Sequence, residues 1–202
     1  MAVDRERVGA LVRELLEAIG EDPDRPGLRQ TPERVADAYA EFFAGVGQDA
    51  AAPLARTISV SRGPAPETVP SGAVMLRDVA FRSVCEHHLL PFRGVAHLAY
   101  LPGEQVVGLG ALPKVVDVLA ARPQVQERLG EQIADTIAGA LDARGVLVVL
   151  EASHACVTMR GGQQKDATTV TIAARGDLAE PAARAELLAL IVGRRPESPS
   201  AE

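Results

Sequence analysis

Near its N-terminus the chain repeats apolar residues with the period of an α-helix, first over residues 8–19 and again over residues 35–43. Gly20 can supply the left-handed residue that ends the first helix. Thr31 can cap the second helix, because the proline that follows it suits a first helical turn. The pattern therefore predicts a hairpin of two helices over residues 1–46.

The rest of the chain divides by composition into a connector, a folded body and a tail. Residues 47–72 are rich in Ala, Pro, Gly and Ser and predict a surface connector, and residues 194–202 predict a disordered tail. Residues 73–193 form the predicted catalytic domain, in which Pro123 separates two consecutive helical patterns. Strands are predicted at Thr57–Val60, Val74–Phe81, Gly94–Leu101, Val106-Val107, Val146–Ala152, His154–Met159 and Thr168–Ala174, and helices at Val115–Leu119, Val125–Ile137 and Ala182–Val192. This grouping predicts an α+β fold with an antiparallel sheet and paired helices.

Composition and charge narrow the functional classes. The 202 residues are 47% hydrophobic and 24% charged, with a formal net charge of −6 and no dense run of Lys or Arg. Such a chain lacks the basic surface that nucleic acid or an anionic membrane requires, so neither is an expected partner. The chain also lacks a signal-peptide core and any run of eighteen apolar residues, which predicts a cytoplasmic protein.

The two cysteines are predicted to bind a metal. Cys85 and His88 stand three residues apart, so that a thiolate and an imidazole can point inward from one turn, and zinc favours that mixture. A C-x-x-H pair alone proves little, but Cys156 follows two residues after His154. If this segment is a strand, the side chains of alternate residues share one face. That face would hold His154, Cys156, Thr158 and Arg160, so a titratable imidazole and a guanidinium would lie on the same face as the metal ligand.

Three ligands, Cys85, His88 and Cys156, would leave one coordination position of Zn²⁺ for water, as in catalytic zinc sites. His87 and His154 are then the candidate proton carriers, because the pKa of an imidazole lies near neutral pH. A structural zinc whose fourth ligand is one of these two histidines remains the alternative. We assign His97, which lies in an alternating strand pattern, to the scaffold.

Several longer motifs surround these residues and occur through most of the chain. They are Thr31–Ala36, Arg77-Asp78, Ser83–Phe92, Arg122–Leu129, His154–Cys156 and Met159–Gly161. Together they resemble the motifs of GTP cyclohydrolase I, the enzyme that starts pterin and folate synthesis. The resemblance implies the tunnelling fold (T-fold), a homodecamer with active sites between subunits, and a zinc-dependent hydrolysis of GTP at C8 of guanine. Formate would leave and 7,8-dihydroneopterin triphosphate would form.

The resemblance also implies roles for individual residues. Cys85, His88 and Cys156 match the zinc ligands, while His87 and His154 match two catalytic histidines. The remaining matches are to substrate contacts: Glu127 to the carboxylate that anchors the guanine edge, with Gln126 beside it, and Arg160, Arg34 and Lys114 to phosphate contacts. A carboxylate can accept hydrogen bonds from both N1–H and the 2-amino group of guanine, which adenine does not offer.

The chain departs from the family in the segment that grips the triphosphate. Gly110 stands in place of the usual Ser, Ala111 in place of Lys, and Lys114 in place of Arg, and Asp37 occupies a position where some members have Lys. These changes leave two alternatives beside GTP hydrolysis. One is a diverged enzyme for a purine with fewer or no phosphates, and the other is a non-catalytic zinc-binding ring subunit.

Overall fold

The computed structural model describes residues 3–59, 72–160 and 164–192. Val60, at the end of the first predicted strand, lies outside the described residues, as do Gly161 and the tail predicted at 194–202. The helices are α1 (Arg5–Ala18), α2 (Thr31–Phe42), α3 (Ala111–Ala120), α4 (Gln126–Leu141), α5 (Ala155–Thr158) and α6 (Pro181–Val192). The strands are β1 (Thr57–Ser59), β2 (Val74–Cys85), β3 (Pro91–Leu101), β4 (Gln105–Val107), β5 (Pro123–Gln124), β6 (Gly145–His154) and β7 (Thr169–Gly176).

The predicted N-terminal hairpin is present as α1 and α2, which pack against each other. Gly20 follows α1 with a φ of 88°, as the sequence predicted. The capping role expected of Thr31 is wrong, because α2 begins at Thr31 itself and the residue before it makes no side-chain capping bond. An ion pair of 3.2 Å between Arg5 and Asp37 joins the two helices.

Five strands form one sheet in the order β5-β2-β3-β6-β7, and β1 pairs with β4 in a separate ribbon. The pairs β2–β3, β3–β6 and β6–β7 are antiparallel, which confirms the α+β prediction. The two-residue strand β5 was not predicted, and it pairs in parallel with the end of β2. Because Pro123 cannot continue the α3 helix, the chain extends there and places α4 beside the sheet.

Both faces of the sheet are covered at its centre. Helices α3 and α4 pack on one face, where the main core includes Leu98, Val116, Ile133 and Val148. A second core on the other face joins Leu147 to Leu187 of α6. Since β6 is buried on both faces, its residues 146–150 read as a continuous apolar run rather than an alternating one.

The strand predicted at His154–Met159 is wrong. The chain leaves β6 at His154 and forms the single helical turn α5, in which the Thr158 hydroxyl donates to the His154 carbonyl at 3.1 Å. Short apolar segments fit a strand or a helical turn equally well, and this side-chain bond favours the turn. Consequently the predicted strand face does not exist: Cys156 lies inside the helical turn, and Arg160 follows after its end.

His97 belongs to the scaffold of the described structure. Its ring is buried, and Nδ1 accepts a hydrogen bond of 3.2 Å from the backbone N–H of Asp78. Asp78 has a positive φ of 58° at an irregularity of β2 between Leu76 and Val79. Burial lowers the pKa of His97, although Asp78 opposes this effect.

Among the described residues, no helix has the length and apolarity needed to cross a membrane.

We predict that Gly94→Ala destabilises the sheet next to the metal-binding residues. A Cβ at Gly94 would lie 1.9 Å from the Glu151 carbonyl oxygen and 2.7 Å from the Cβ of Ala152. Two strand backbones would have to separate, so the free energy of unfolding should fall by about 3 kcal/mol. Denaturant unfolding followed by circular dichroism measures this loss.

Gly139→Ala is the matched control, because nothing lies within 4 Å of a Cβ at this exposed helical position. Alanine should raise the free energy of unfolding there by about 0.5–1 kcal/mol. Equal stability of Gly94→Ala and the wild type would contradict the close strand contact.

Candidate metal centre

The sheet brings the two cysteine segments to the same end. Strands β2 and β6 both run antiparallel to β3, and Phe92 of β3 lies opposite both Ser83 and His154. Cys85 and Cys156 each follow two residues after one of these partners. The register of β3 with its two neighbours therefore determines that the cysteines meet.

Cys85, His88 and Cys156 form a group of three possible metal donors. One ligand atom from each lies within 4.8 Å of the other two. Cys85 is buried, Cys156 is half-buried and His88 is exposed, so the group is open on the histidine side. Neither His87 nor His154 belongs to this group among the described residues.

The turn that holds Cys85 and His88 is stabilised by backbone hydrogen bonds. The Cys85 N–H donates to the Leu90 carbonyl, and the Leu89 N–H donates to the Cys85 carbonyl, both at 2.8 Å. Leu89 has a φ of 53°, in the left-handed region that non-glycine residues rarely occupy. The Glu86 N–H donates to the Gln124 carbonyl at 3.0 Å, so β5 supports the turn from its other side.

Glu86 and Arg128 connect this turn to α4, and the sequence did not single them out. The Glu86 carboxylate forms an ion pair with the Arg128 guanidinium, whose Nε also donates to the Gln124 side chain at 3.4 Å. The two residues are 42 positions apart, and no local spacing rule links them. Both nevertheless lie inside the motifs Ser83–Phe92 and Arg122–Leu129.

The Cys156 thiol is influenced by its neighbour Cys85. The pKa of Cys156 is raised, first by burial and then by the charge and the hydrogen bond of Cys85, while Arg160 lowers it. Two adjacent thiolates repel each other unless a cation lies between them. A pair of thiols with one imidazole is the donor set that zinc favours, so the residues present fit a Zn²⁺ ion.

His154 lies beside the donor group and is held in a fixed orientation. Its ring stacks on Phe92 with a centroid distance of 4.6 Å and an interplanar angle of 7°. Its Nε2 lies 2.7 Å from Oε1 of Gln126. Burial lowers the pKa of His154, and the charge of Glu127 partly offsets this effect.

His87 occupies the open side of the turn. Its side chain is exposed, and its Nε2 lies 3.9 Å from a carboxylate oxygen of Glu86. Its ring is perpendicular to that of His88, with 6.4 Å between the centroids. His87 is therefore placed to reach a molecule that approaches from solvent.

The predicted substrate residues fall into two groups. The start of α4 brings Gln126 and Glu127 towards His154, and Arg160 acts on the Cys156 thiol. Glu127 also lines a cavity of about 270 Å³ with Gly130, Thr171 and Ala173. Arg34 and Lys114 instead lie on α2 and α3, where Arg34 donates to the side chain of Gln30 at 2.7 Å.

A known family model covers nearly the whole chain. Residues 8–192 match the family model described as GTP cyclohydrolase I. The chain belongs to the GTP cyclohydrolase I family. The sequence resemblance is thereby confirmed, together with its α+β fold of antiparallel sheet and helices.

Individual relatives in this family match almost the whole chain. A protein named GTP cyclohydrolase 1 from Leifsonia xyli subsp. xyli is 66% identical over 188 residues, which cover 93% of this chain and 95% of the relative. Proteins of the same name from Streptomyces griseus and Carboxydothermus hydrogenoformans are each 49% identical and cover 96% of this chain, and the alignments include 93% and 98% of their own lengths. Among solved structures, the apo form of the archaeosine synthase QueF-Like aligns with 54% of this chain and 97% of its own, at 17% identity and a TM-score of 0.42.

Proposed function

We propose that this chain is a Zn²⁺-dependent GTP cyclohydrolase that opens the imidazole ring of GTP at C8, releases formate and forms 7,8-dihydroneopterin triphosphate. The observation that carries the proposal is the group of Cys85, His88 and Cys156 with His154 beside it. The relatives named GTP cyclohydrolase 1, at up to 66% identity, support the same activity. Pterin and folate synthesis in the cytoplasm is the corresponding proposed context.

The donor group would hold the metal through two thiolates and one imidazole. Zn²⁺ bound in this way supplies Lewis acidity and makes water a nucleophile near neutral pH. The exposure of His88 and the position of His87 and His154 outside the donor group support a site with an open coordination position. A four-ligand structural zinc would need one of these two histidines to move.

The two remaining histidines would transfer protons. His154 is half-buried and held against Phe92, so it can deliver or accept a proton at a fixed point. His87 is exposed at the turn and is proposed to act on the part of the substrate nearest to solvent. An imidazole suits both tasks because its ring nitrogens can donate and accept a proton.

Glu127 would select guanine. Its carboxylate lies in the first turn of α4 and lines the small cavity next to β7. A carboxylate there can accept from both N1–H and the 2-amino group of a purine whose C8 faces the metal group. Arg160, Arg34 and Lys114 are proposed to contact the phosphates, as cations with charge-assisted hydrogen bonds.

Asp37 interferes less with phosphate binding than its charge suggests. In the described structure it pairs with Arg5 at 3.2 Å, which neutralises part of its charge. Gly110 and Ala111, at the start of α3, carry no phosphate-binding side chain. We therefore assign triphosphate contact to the three cations and retain GTP as the substrate.

We also propose that the protein is a homo-oligomer, a decamer with active sites between subunits. Apolar side chains surround the metal-binding residues and are exposed in a single chain: Leu89 by 51%, Val157 by 45% and Met159 by 77%. Such a cluster favours coverage by another protein surface. Because Arg34 and Lys114 lie on separate elements from the donor group, a second copy could complete the phosphate contacts.

Loss of a thiol should remove the metal. Cys85→Ala and Cys156→Ala should each reduce bound zinc from stoichiometric to less than about one tenth per chain, because two ligands hold Zn²⁺ far more weakly than three. His87→Ala serves as the matched control and should retain stoichiometric zinc. Elemental mass spectrometry of the purified variants measures the number of zinc ions bound per chain. Zinc loss in His87→Ala would instead identify His87 as a fourth ligand.

The wild-type protein should release formate from GTP, together with the ultraviolet absorbance of a dihydropterin. We expect kcat/KM to be at least about tenfold lower with GMP, because each charge-assisted phosphate contact contributes roughly 1.5–3 kcal/mol. Guanosine should be poorer still, and Cys156→Ala provides the inactive control. Equal turnover of GMP and GTP would point to a substrate with fewer phosphates. Stoichiometric zinc without formate from any of the three would favour the non-catalytic ring subunit.

Glu127→Gln should lower kcat/KM for GTP by roughly 10–100-fold, because the amide keeps one acceptor but loses the charge that strengthens both hydrogen bonds. Steady-state kinetics measures the change. Asp135→Asn is the control, since Asp135 is an exposed residue of the same helix that pairs with Arg175 at 2.6 Å. Unchanged kinetics in Glu127→Gln would remove Glu127 from the guanine site.

A further inference from the structure

Gln126 is a polar residue that is almost completely buried beside the candidate metal centre. It is the first residue of α4 and is only 2% exposed. Its Nε2 donates to the Leu150 carbonyl at 3.0 Å, to the Thr169 carbonyl at 2.9 Å and to the Thr171 hydroxyl at 3.2 Å. The side chain thus bridges β6 and β7 from the start of the helix.

These contacts determine which end of the amide faces His154. A carbonyl oxygen can only accept a hydrogen bond, so two of the three partners require the NH₂ group of Gln126. The amide oxygen must then point the other way, where it lies 2.7 Å from Nε2 of His154. Rotating the amide would place its oxygen against two backbone carbonyl oxygens and its NH₂ group against the imidazole.

The orientation of Gln126 in turn determines the tautomer of His154. A neutral imidazole has one N–H donor and one acceptor nitrogen, and an amide oxygen can only accept. The close approach to Oε1 therefore requires the proton to be on Nε2. Phe92 holds the ring plane by stacking. A half-turn of the ring within that plane would place the carbon Cε1 where Nε2 now lies, and the contact with Gln126 would be lost.

We propose that Gln126 is a positioning residue that keeps neutral His154 in its Nε2–H tautomer, so that Nδ1 is the ring nitrogen that exchanges a proton with the purine substrate. The identity of the substrate rests on the proposed function, but the tautomer does not. Gln126 then acts on the reaction through His154 and not by binding guanine itself. All its amide groups are already engaged inside the protein.

The tautomer can be measured directly on the zinc-loaded wild-type protein. The chain has four histidines, so solid-state NMR of protein labelled with ¹³C,¹⁵N-histidine gives few ring signals, and His154→Asn identifies the signal of His154. At pH 8 we expect a protonated Nε2 and an unprotonated Nδ1. A neutral ring with its proton on Nδ1 would overturn the proposal, and this measurement requires no variant of Gln126 to fold.

Gln126→Leu removes the acceptor and should let His154 populate both tautomers. We expect kcat for GTP to fall by roughly 10–100-fold, because a misplaced proton-transfer group loses much of its contribution, while KM stays within about threefold. Retention of the wild-type tautomer in Gln126→Leu would contradict the positioning role. A rise in KM with unchanged kcat would show that Gln126 contacts the substrate instead.

Gln124→Leu is the matched control for the loss of a buried amide. Gln124 is also 2% exposed and donates to the Leu119 carbonyl at 3.0 Å, but its side chain bonds to Gln132 and Arg128 and not to His154. The Gln124→Leu variant should lose about as much stability as Gln126→Leu and should keep the Nε2–H tautomer of His154. The expected tautomer in a protein that turns over no GTP would contradict the proposed function and leave the role of Gln126 intact.

Discussion

The meeting of two thiols at one end of the five-stranded sheet is the constraint on which the rest of the site depends. Cys85 and Cys156 stay together because β3 pairs with both β2 and β6, and Phe92 lies opposite a residue two positions before each cysteine. The pKa of Cys156 is raised by burial and by Cys85, which disfavours the thiolate in the absence of a cation. A divalent cation reverses that balance, which links metal binding to the release of protons.

The start of α4 organises the surroundings of this group through three consecutive residues. Gln126 contacts His154, Glu127 lines the adjacent cavity, and Arg128 pairs with Glu86 of the cysteine turn. Successive helical residues point about 100° apart, so one helical turn can serve three different neighbours. Any shift of α4 along the sheet would therefore disturb the imidazole, the cavity beside Glu127 and the cysteine turn together.

Two buried glutamines differ in what they stabilise. Gln124 joins β5 to α3 and α4 and maintains the scaffold, whereas Gln126 uses the same kind of amide to orient an imidazole. Burying an amide without partners costs free energy, but each of these amides has partners on both its nitrogen and its oxygen. The two glutamine side chains are thus compatible with a tightly packed interior. The hydrogen bonds of Gln126 also leave the ring of His154 few alternative orientations.

The sequence alone identified the three candidate donor residues and the family. Cys85 and His88 are close through local spacing, the long motifs identify the relatives, and the helical period of α4 follows from burial of one face. Only the tertiary structure decided that His154 begins a helical turn, that Glu86 pairs with Arg128, and that the Gln126 amide faces His154. The physical reason is the range of the interactions: periodicity and spacing record contacts within a few residues, whereas strand register and helix docking depend on the whole packed core.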